Sequence, residues 1–135
     1  MLLICRFGIY HWEGFEFEDK SKKDKYWIAL SCKIAQKEFY AVLPTSKIEK
    51  HFYKSDTYTI KNGSSEYFTV DTLLDFNSIK ITSKEKVEEA YKNSKFEYLG
   101  ILEKEHQDKI EDTIQNSYTI PQNIIDTLLC KEQGK

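Results

Sequence analysis

The side chains best suited to bind phosphate form a short lysine run near the start of the chain. Its members fall within six positions, at Lys20, Lys22, Lys23 and Lys25. The surrounding stretch 19–24 is polar and is predicted to be a loop. Such a run binds phosphate through its positive charge, or it keeps a loop solvated, which is the commoner role. Arg6 is the only arginine, so this sequence has little scope for bidentate contacts to phosphate.

Hydroxyl and carboxylate groups that could assist phosphate chemistry follow further along the chain. Thr45 and Ser46 come directly after Pro44, where a hydroxyl can donate to a phosphate oxygen or simply begin a turn. Asp71 and Asp75 are four residues apart, so one strand would project both carboxylates from the same side. That placement suits general acid or base chemistry. The same carboxylates could instead cap a turn or pair with surface lysines.

The three histidines and three cysteines are scattered without the spacing of a metal site. The sequence therefore predicts no metal and no cofactor. His51 lies in a polar connection, where an imidazole can shuttle protons near neutral pH, although a lone exposed histidine is more often incidental. His11 lies in a predicted strand beside Trp12 and is expected to be half-buried. Cysteines in this pattern favour free thiols in a reducing cytosol, which predicts a cytoplasmic protein.

Composition is typical of a soluble globular protein. The 135 residues fit one domain, 1–135, and are 40% hydrophobic and 31% charged. The net charge of −2 argues against a global field that draws the chain onto nucleic acid, although a local patch can still bind RNA. No apolar run approaches the roughly 20 residues that a membrane helix needs, so no membrane association is expected.

The first half of the sequence has the pattern of strands and the second half adds helices. Strands are predicted at 3–5, 9–12, 26–32, 38–43, 58–60, 66–70, 78–81 and 96–102. The run 26–32 is nearly continuous apolar sequence, as in a strand buried on both faces. Asn62-Gly63 is a hairpin signal between 58–60 and 66–70. Gly100 indicates a bulge or a close packing point in the last strand.

Three helices are expected after these strands. Thr82 and Glu85 have capping-box spacing, so a helix should run to about residue 92. His106, Ile110 and Ile114 recur on one face of a second helix that begins near residue 103. A terminal helix carries its apolar residues at Ile124, Ile125, Leu128 and Leu129. Together the elements predict an α+β fold in which a small curled antiparallel sheet or barrel has helices appended.

Four segments in a fixed order resemble a known family. They read FGIYHW with FEFED at 7–19, KDKYWIALS at 23–31, LPTS at 43–46, and 71–81 followed by YLGIL at 98–102. Their order and spacing are similar to those of the MazF/PemK toxins, over about residues 7–116. The resemblance implies an SH3-like barrel, a homodimer, and a metal-independent endoribonuclease that cuts single-stranded RNA and is silenced by a cognate antitoxin. Residues 117–135 lie beyond the usual family end and are predicted to be an additional C-terminal helix.

The resemblance also assigns roles to individual residues. In the family an arginine precedes a proline at the start of the second strand; here Lys25 and Tyr26 stand at those positions. Lysine supplies the charge but lacks the planar fork of arginine. The catalytic residues are predicted as Lys25, Thr45, Ser46 and Asp75. The RNA-binding residues are predicted as Lys20, Lys22, Lys23, Asp71 and His51.

Two alternatives follow from the missing arginine. The chain could be a MazF-like domain that binds RNA or a protein without catalysis. It could also be an adaptor whose resemblance is coincidental, marked by an exposed apolar patch on the terminal helix at Ile124, Leu128 and Leu129. The other possibility for that helix is that it packs on the domain. An aromatic stripe at Trp12, Phe15 and Phe17 is expected to be mostly core, although an exposed ring could stack on a base.

Overall fold

A computed structural model describes residues 4–30, 38–48 and 55–129. The strands are β1 Gly8–Glu16, β2 Lys22–Ala29, β3 Glu38–Val42, β4 Thr57–Ile60, β5 Thr72–Asp75, β6 Lys80–Ser83 and β7 Phe96–Ile101. The helices are α1 Lys84–Lys92, α2 Lys104–Gln115 and α3 Gln122–Leu128, and a short 3-10 turn spans Phe76–Ser78. The predicted α+β class is confirmed. None of the described helices has the length and apolar character needed to cross a membrane.

The strands form two antiparallel sheets. The larger has the order β6-β3-β2-β1-β7, and the smaller pairs β4 with β5. A single bridge between Thr45 and Leu73 joins the chain after β3 to the smaller sheet. Within the described residues the larger sheet is open, with β6 and β7 at its two edges. The prediction of an antiparallel sheet with appended helices is therefore confirmed, while a closed barrel is not formed by these strands.

Alternation along the strands builds a different core on each face of the larger sheet. On one face the aromatic rings of β1, β2, β3 and β7 pack against Val87 and Ala90 of α1. This aromatic core contains Tyr10, Trp12, Phe15, Trp27, Phe39 and Phe96. The opposite face is mainly aliphatic and packs against the smaller sheet, α2 and α3. Trp27 to Leu30 are buried on both faces, as their continuous apolar sequence predicts.

The terminal helix α3 packs onto this aliphatic core. Ile125 and Leu128 are buried, and Ile120 before the helix is also covered. The side chains of Ile124 and Leu129 are partly buried against the same cluster. Burying one such side chain is worth about 1.5–3 kcal/mol, so α3 belongs to the domain. Of the two possibilities for this helix, packing on the domain is confirmed, and the exposed patch that would mark an adaptor is not formed because Leu128 is fully buried.

Three predicted elements differ from the structure. The stretch 66–70 is not a strand; the partner of β4 is β5, which begins at Thr72. Within the stretch 3–5, the described residues 4–5 are outside any strand, and β1 begins at Gly8. Helix α1 is capped by Ser83 rather than Thr82, because Thr82 still pairs with β3 and the Ser83 hydroxyl accepts from the amide of Lys86 at 3.2 Å. Residues 31–37, which include the end of the predicted strand 26–32, lie outside the described residues.

Gly100 is both a bulge and a close packing point, as predicted. The β1–β7 register shifts between Ile9 and Tyr10, where Ile9 is opposite Gly100 and Tyr10 is opposite Tyr98. The hydroxyl of Tyr67 lies only 2.1 Å from the position that a Cβ on Gly100 would occupy. A side chain at this position would therefore displace Tyr67.

Candidate functional site

The lysine run lies at one end of the β1–β2 hairpin, and most of it is in a strand. Lys22 and Lys23 belong to β2, opposite Glu16 and Phe15, so the prediction of a loop across 19–24 is wrong for its second half. The turn is shorter than the polar stretch because the carboxylate of Asp19 accepts from the amide of Ser21 at 2.9 Å. Continued backbone pairing to β1 then carries the lysines into the sheet.

Lys20 lies at the tip of that turn, with a left-handed backbone (φ 71°). Lys20, Lys22 and Lys23 are exposed. Lys25 is half-buried and lies opposite Trp12 of β1. Its ammonium forms no ion pair with any residue that the structure describes. The four lysines therefore present positive charge along one edge of the hairpin rather than in a closed cradle.

An open groove of about 920 Å³ separates this hairpin from β6 and α1. Five lysines line it, but so do five carboxylates, so the groove has no strong excess of positive charge. The ammonium of Lys80 lies 5.5 Å from the ring centroids of both Phe15 and Phe17. Phe15 is buried and Phe17 partly buried, which agrees with the expectation that the aromatic stripe is mostly core.

Thr45 lies at the junction of the two sheets. Its amide donates to the carbonyl of Leu73 at 3.0 Å, and its carbonyl accepts from the amide of Leu73 at 2.8 Å. Its hydroxyl accepts from the amide of Lys47 at 3.1 Å, which is the turn-forming role open to threonine. Ser46 is exposed.

The register of β2 and β3 relates Thr45 to Lys25. Ile28 of β2 lies opposite Val42 of β3, and this is the last pair at that end of the two strands. Lys25 is three residues before Ile28, and Thr45 is three residues after Val42. Both therefore leave the same end of the β2–β3 pair, where the chain after β3 crosses to the smaller sheet.

The two predicted carboxylates make different contacts. Asp75 is buried at the end of β5 and accepts from the amide of Asn77 at 2.9 Å, capping the 3-10 turn. Asp71 is exposed, accepts from the amide of Asn62 at 2.8 Å and lies 4.0 Å from the ammonium of Lys61. Because Asp71 precedes β5, the prediction that one strand carries both carboxylates is wrong. Turn capping and lysine pairing were the alternative roles, and both are observed.

His51 lies outside the described residues. In the part of the chain that the structure describes, no group of three or more potential ligands could hold a metal ion. His106 of α2 is buried and bonded at both ring nitrogens. Nδ1 is 2.5 Å from the hydroxyl of Tyr58, and Nε2 is 3.0 Å from the carbonyl oxygen of Ser64. Since a carbonyl can only accept, Nε2 carries a proton and donates to the carbonyl of Ser64.

A row of polar side chains that the sequence did not reveal crosses the larger sheet. The register places His11 of β1 opposite Tyr26 of β2 and opposite Glu97 of β7. Cross-strand partners project to the same face, so the three side chains are neighbours. The rings of His11 and Tyr26 are 5.2 Å apart. His11 is half-buried, as predicted, while Tyr26 is 51% exposed and Glu97 is exposed.

Comparison with known proteins assigns no family. No protein-family model matches the chain, and no curated protein matches its sequence.

Proposed function

We propose that the protein is a MazF/PemK-like toxin, a metal-independent endoribonuclease that cuts single-stranded RNA. The observation that carries this proposal is the joint position of Lys25 and Thr45 at one end of the β2–β3 pair. The exposed Ser46 and the lysine edge of the hairpin adjoin the same region. The two sheets joined at Thr45 are, in this proposal, parts of an SH3-like barrel of the MazF/PemK type.

The chemistry assigned to this region is electrostatic. The unpaired ammonium of Lys25 supplies positive charge to a phosphorane, and the hydroxyls of Thr45 and Ser46 donate to its oxygens. Lys20, Lys22 and Lys23 contact the phosphates on either side of the scissile bond. Asp75 accepts from the amide of Asn77 and holds the end of β5 in place.

The first test is cleavage of a mixed pool of single-stranded RNA between pH 6 and 8 with EDTA present. We expect discrete cleavage products, because no step uses a metal. Lys25→Ala should abolish cleavage and Lys25→Arg should preserve or raise it, since arginine restores the bidentate fork. Lys109→Ala on the exposed side of α2 is the matched control and should cleave normally. An intact RNA pool after incubation with the unmodified protein would overturn the proposal.

The toxin assignment also predicts partners. Expression in a bacterial host should arrest growth, and co-expression of a cognate antitoxin should relieve it. The resemblance implies a homodimer, so sedimentation should give twice the mass of the 135-residue chain. A monomeric mass at all protein concentrations would overturn the predicted homodimer but not the proposed RNA cleavage.

A non-catalytic RNA- or protein-binding domain is the second candidate. The observation that favours it is the equal number of lysines and carboxylates in the groove beside the hairpin. RNA binding through the lysine edge should weaken steeply as salt rises, because phosphate contacts release counterions. A binding constant that is flat with salt would indicate a protein partner instead.

A further inference from the structure

We propose that the groove beside the β1–β2 hairpin binds an extended peptide of a partner protein, which adds as a further strand to the edge of β6. The peptide carries both acidic and basic side chains. Edge strands bind peptides in this way because main-chain hydrogen bonds supply affinity and neighbouring pockets select alternate side chains. The proposal does not depend on RNA cleavage, since none of the residues that it uses has a role in the proposed RNA chemistry.

The backbone of Ile81 is directed out of the edge of the sheet. Within the described chain, β6 has a neighbouring strand only on its β3 side. The amide of Leu30 donates to the carbonyl of Tyr40 at 2.8 Å, so the backbone groups of Tyr40 are directed toward β2 and away from β6. In an antiparallel pair, opposite residues either both face each other or both face away. Because Ile81 lies opposite Tyr40, its N–H and C=O are directed away from β3.

The side chain of Ile81 adds an apolar contact at this edge. Ile81 lines the groove and is 43% exposed. The strand β6 has four residues, which give about 13 Å of edge. That length suits a short extended segment.

The other edge of the larger sheet is less suited to such pairing. The register of β7 with β1 is interrupted next to Gly100, and the hydroxyl of Tyr67 lies close to the same glycine. Bulges and covering groups are the usual means by which proteins block an edge strand. The pairing of β6 with β3 has no register shift over its four residues. Of these two edges, β6 is therefore the one open to a further strand.

The groove also contains unpaired charges of both signs. Lys80 is half-buried, and its ammonium lies over the rings of Phe15 and Phe17. It makes no ion pair or hydrogen bond with any residue that the structure describes. The ammonium of Lys86 and the carboxylates of Glu16 and Glu89 also line the groove, and they too lack a described partner. Lys80 is thus placed to bind an acidic side chain of a ligand.

This balance of charge favours a peptide over a nucleic acid. A phosphate backbone would bring repeated negative charges against Glu16 and Glu89, and like charges in contact are unfavourable. A peptide can instead place an acidic side chain at Lys80 and a basic one at either carboxylate. Its main chain at the same time bonds the free backbone groups of Ile81.

The experiment selects binders for the full chain from a phage-displayed library of random octapeptides. Enriched sequences should combine β-branched residues with side chains of both charges. A synthetic copy of an enriched peptide should protect the amide of Ile81 from hydrogen exchange, and N-methylation of its main chain should abolish binding. A library without enriched sequences, or a bound peptide that leaves exchange at Ile81 unchanged, would overturn the proposal.

Charge variants test the side-chain contacts with the same synthetic peptide. Lys80→Glu should weaken binding about tenfold, because an acidic side chain then faces another one. Lys86→Glu should also weaken binding, and its exposed position in the first turn of α1 leaves the fold intact. Lys80→Arg and the control Lys109→Ala should bind normally. Unchanged binding in both glutamate variants, with melting curves like that of the unmodified protein, would overturn the charge contacts and with them the proposal.

Two further outcomes would assign the groove to another occupant and overturn the peptide. Displacement of the peptide by single-stranded RNA, with an RNA affinity that falls in Lys86→Glu, would indicate an RNA site. Protection of the Ile81 amide that rises with protein concentration, without any peptide, would indicate a second copy of the chain at this edge. Absence of RNA cleavage by the unmodified protein would overturn the endoribonuclease proposal and leave this one standing.

Discussion

His11 and His106 are the same residue in opposite surroundings. His106 is buried beneath α2, and its two ring nitrogens are bonded to Tyr58 and Ser64. His11 is half-buried on β1, where its ring contacts Tyr26 and its nitrogens have no partner among the described residues. A bonded, buried imidazole holds elements together, whereas an unbonded one on a surface is available for chemistry.

The region around His106 repeats this pattern of satisfied polar groups. Oδ2 of Asp56 accepts from the hydroxyls of Ser117 at 2.8 Å and Thr119 at 2.6 Å, and from the backbone amides of Tyr118 and Thr119. These contacts tie the start of β4 to the connection between α2 and α3. The difference between the two regions predicts that substitutions near His106 lower the free energy of unfolding more than substitutions near His11 do.

The largest stability difference should come from the two histidines themselves. His106→Ala leaves a cavity and two partly buried partners unbonded, so the free energy of unfolding should fall by about 2–4 kcal/mol. His11→Ala removes a half-buried ring without hydrogen bonds and should change it by less than about 1 kcal/mol. Urea unfolding of both variants measures the contrast. Equal losses of stability in His106→Ala and His11→Ala would contradict the expected difference between the two histidines.

Asp56→Asn should lower the free energy of unfolding by about 1–2 kcal/mol, because the hydrogen bonds to the carboxylate are charge-assisted and partly exposed. Asn is suited to the left-handed backbone at this position (φ 57°), so the substitution tests the charge rather than the turn. The matched control is Asp112→Asn on the exposed side of α2, which should change stability by less than about 0.5 kcal/mol.

The Asp56 contribution should depend on pH. Burial acts to raise the pKa of this carboxyl, but the hydrogen bonds from Thr119, Ser117 and the backbone outweigh it and lower the pKa below its ordinary value. A lowered folded-state pKa means that the stabilisation is complete above the unfolded-state pKa of about 3.9 and is lost as pH falls through the folded value. The stability gap between the unmodified protein and Asp56→Asn should therefore narrow below pH 4. A gap that widens on acidification would contradict this account.

Ser83→Ala should lower the free energy of unfolding by a smaller amount, since it removes a single hydrogen bond. The Ser83 hydroxyl accepts from the amide of Lys86 at the start of α1, and the loss of an N-cap costs about 1 kcal/mol. Ser83→Asp should keep most of this stability, because aspartate also caps a helix and its negative charge is favourable at a helix N-terminus. Thermal unfolding of the pair separates the cap from a general effect of substitution at the end of β6.

Tyr118→Ala should have the smallest effect. Its side chain is 93% exposed, and only its backbone amide takes part in the Asp56 contacts. The melting temperature should stay within experimental error of the unmodified protein. A clear destabilisation would show that side-chain exposure is a poor guide to stability in this connection.

Local sequence predicted the elements whose signals are continuous. The continuous apolar run in β2 and the one-faced apolar pattern of α2 predict which of their side chains are buried. The glycine at position 100 predicts the bulge in β7. Local sequence does not show whether 66–70 or β5 pairs with β4, because both stretches suit a strand equally well. Pairing to β4, together with the turn that Asp71 holds at Asn62, decides it.

The candidate site was less accessible to prediction. Lys25 and Thr45 stand out through a resemblance, and their common position at the end of the β2–β3 pair depends on register. The row of Glu97, His11 and Tyr26 has no local signal, because three strands distant in sequence must pair before the side chains meet. The same limit applied to His106, whose helical spacing indicated burial but not its partners.

The most direct test of the proposed endoribonuclease function is the rate of metal-free RNA cleavage by the unmodified protein, Lys25→Ala and Lys109→Ala. We expect the unmodified protein and Lys109→Ala to cleave at similar rates, and Lys25→Ala to lose cleavage because no ammonium then stabilises the phosphorane. A normal rate for Lys25→Ala, or no cleavage by the unmodified protein, would contradict the proposed function.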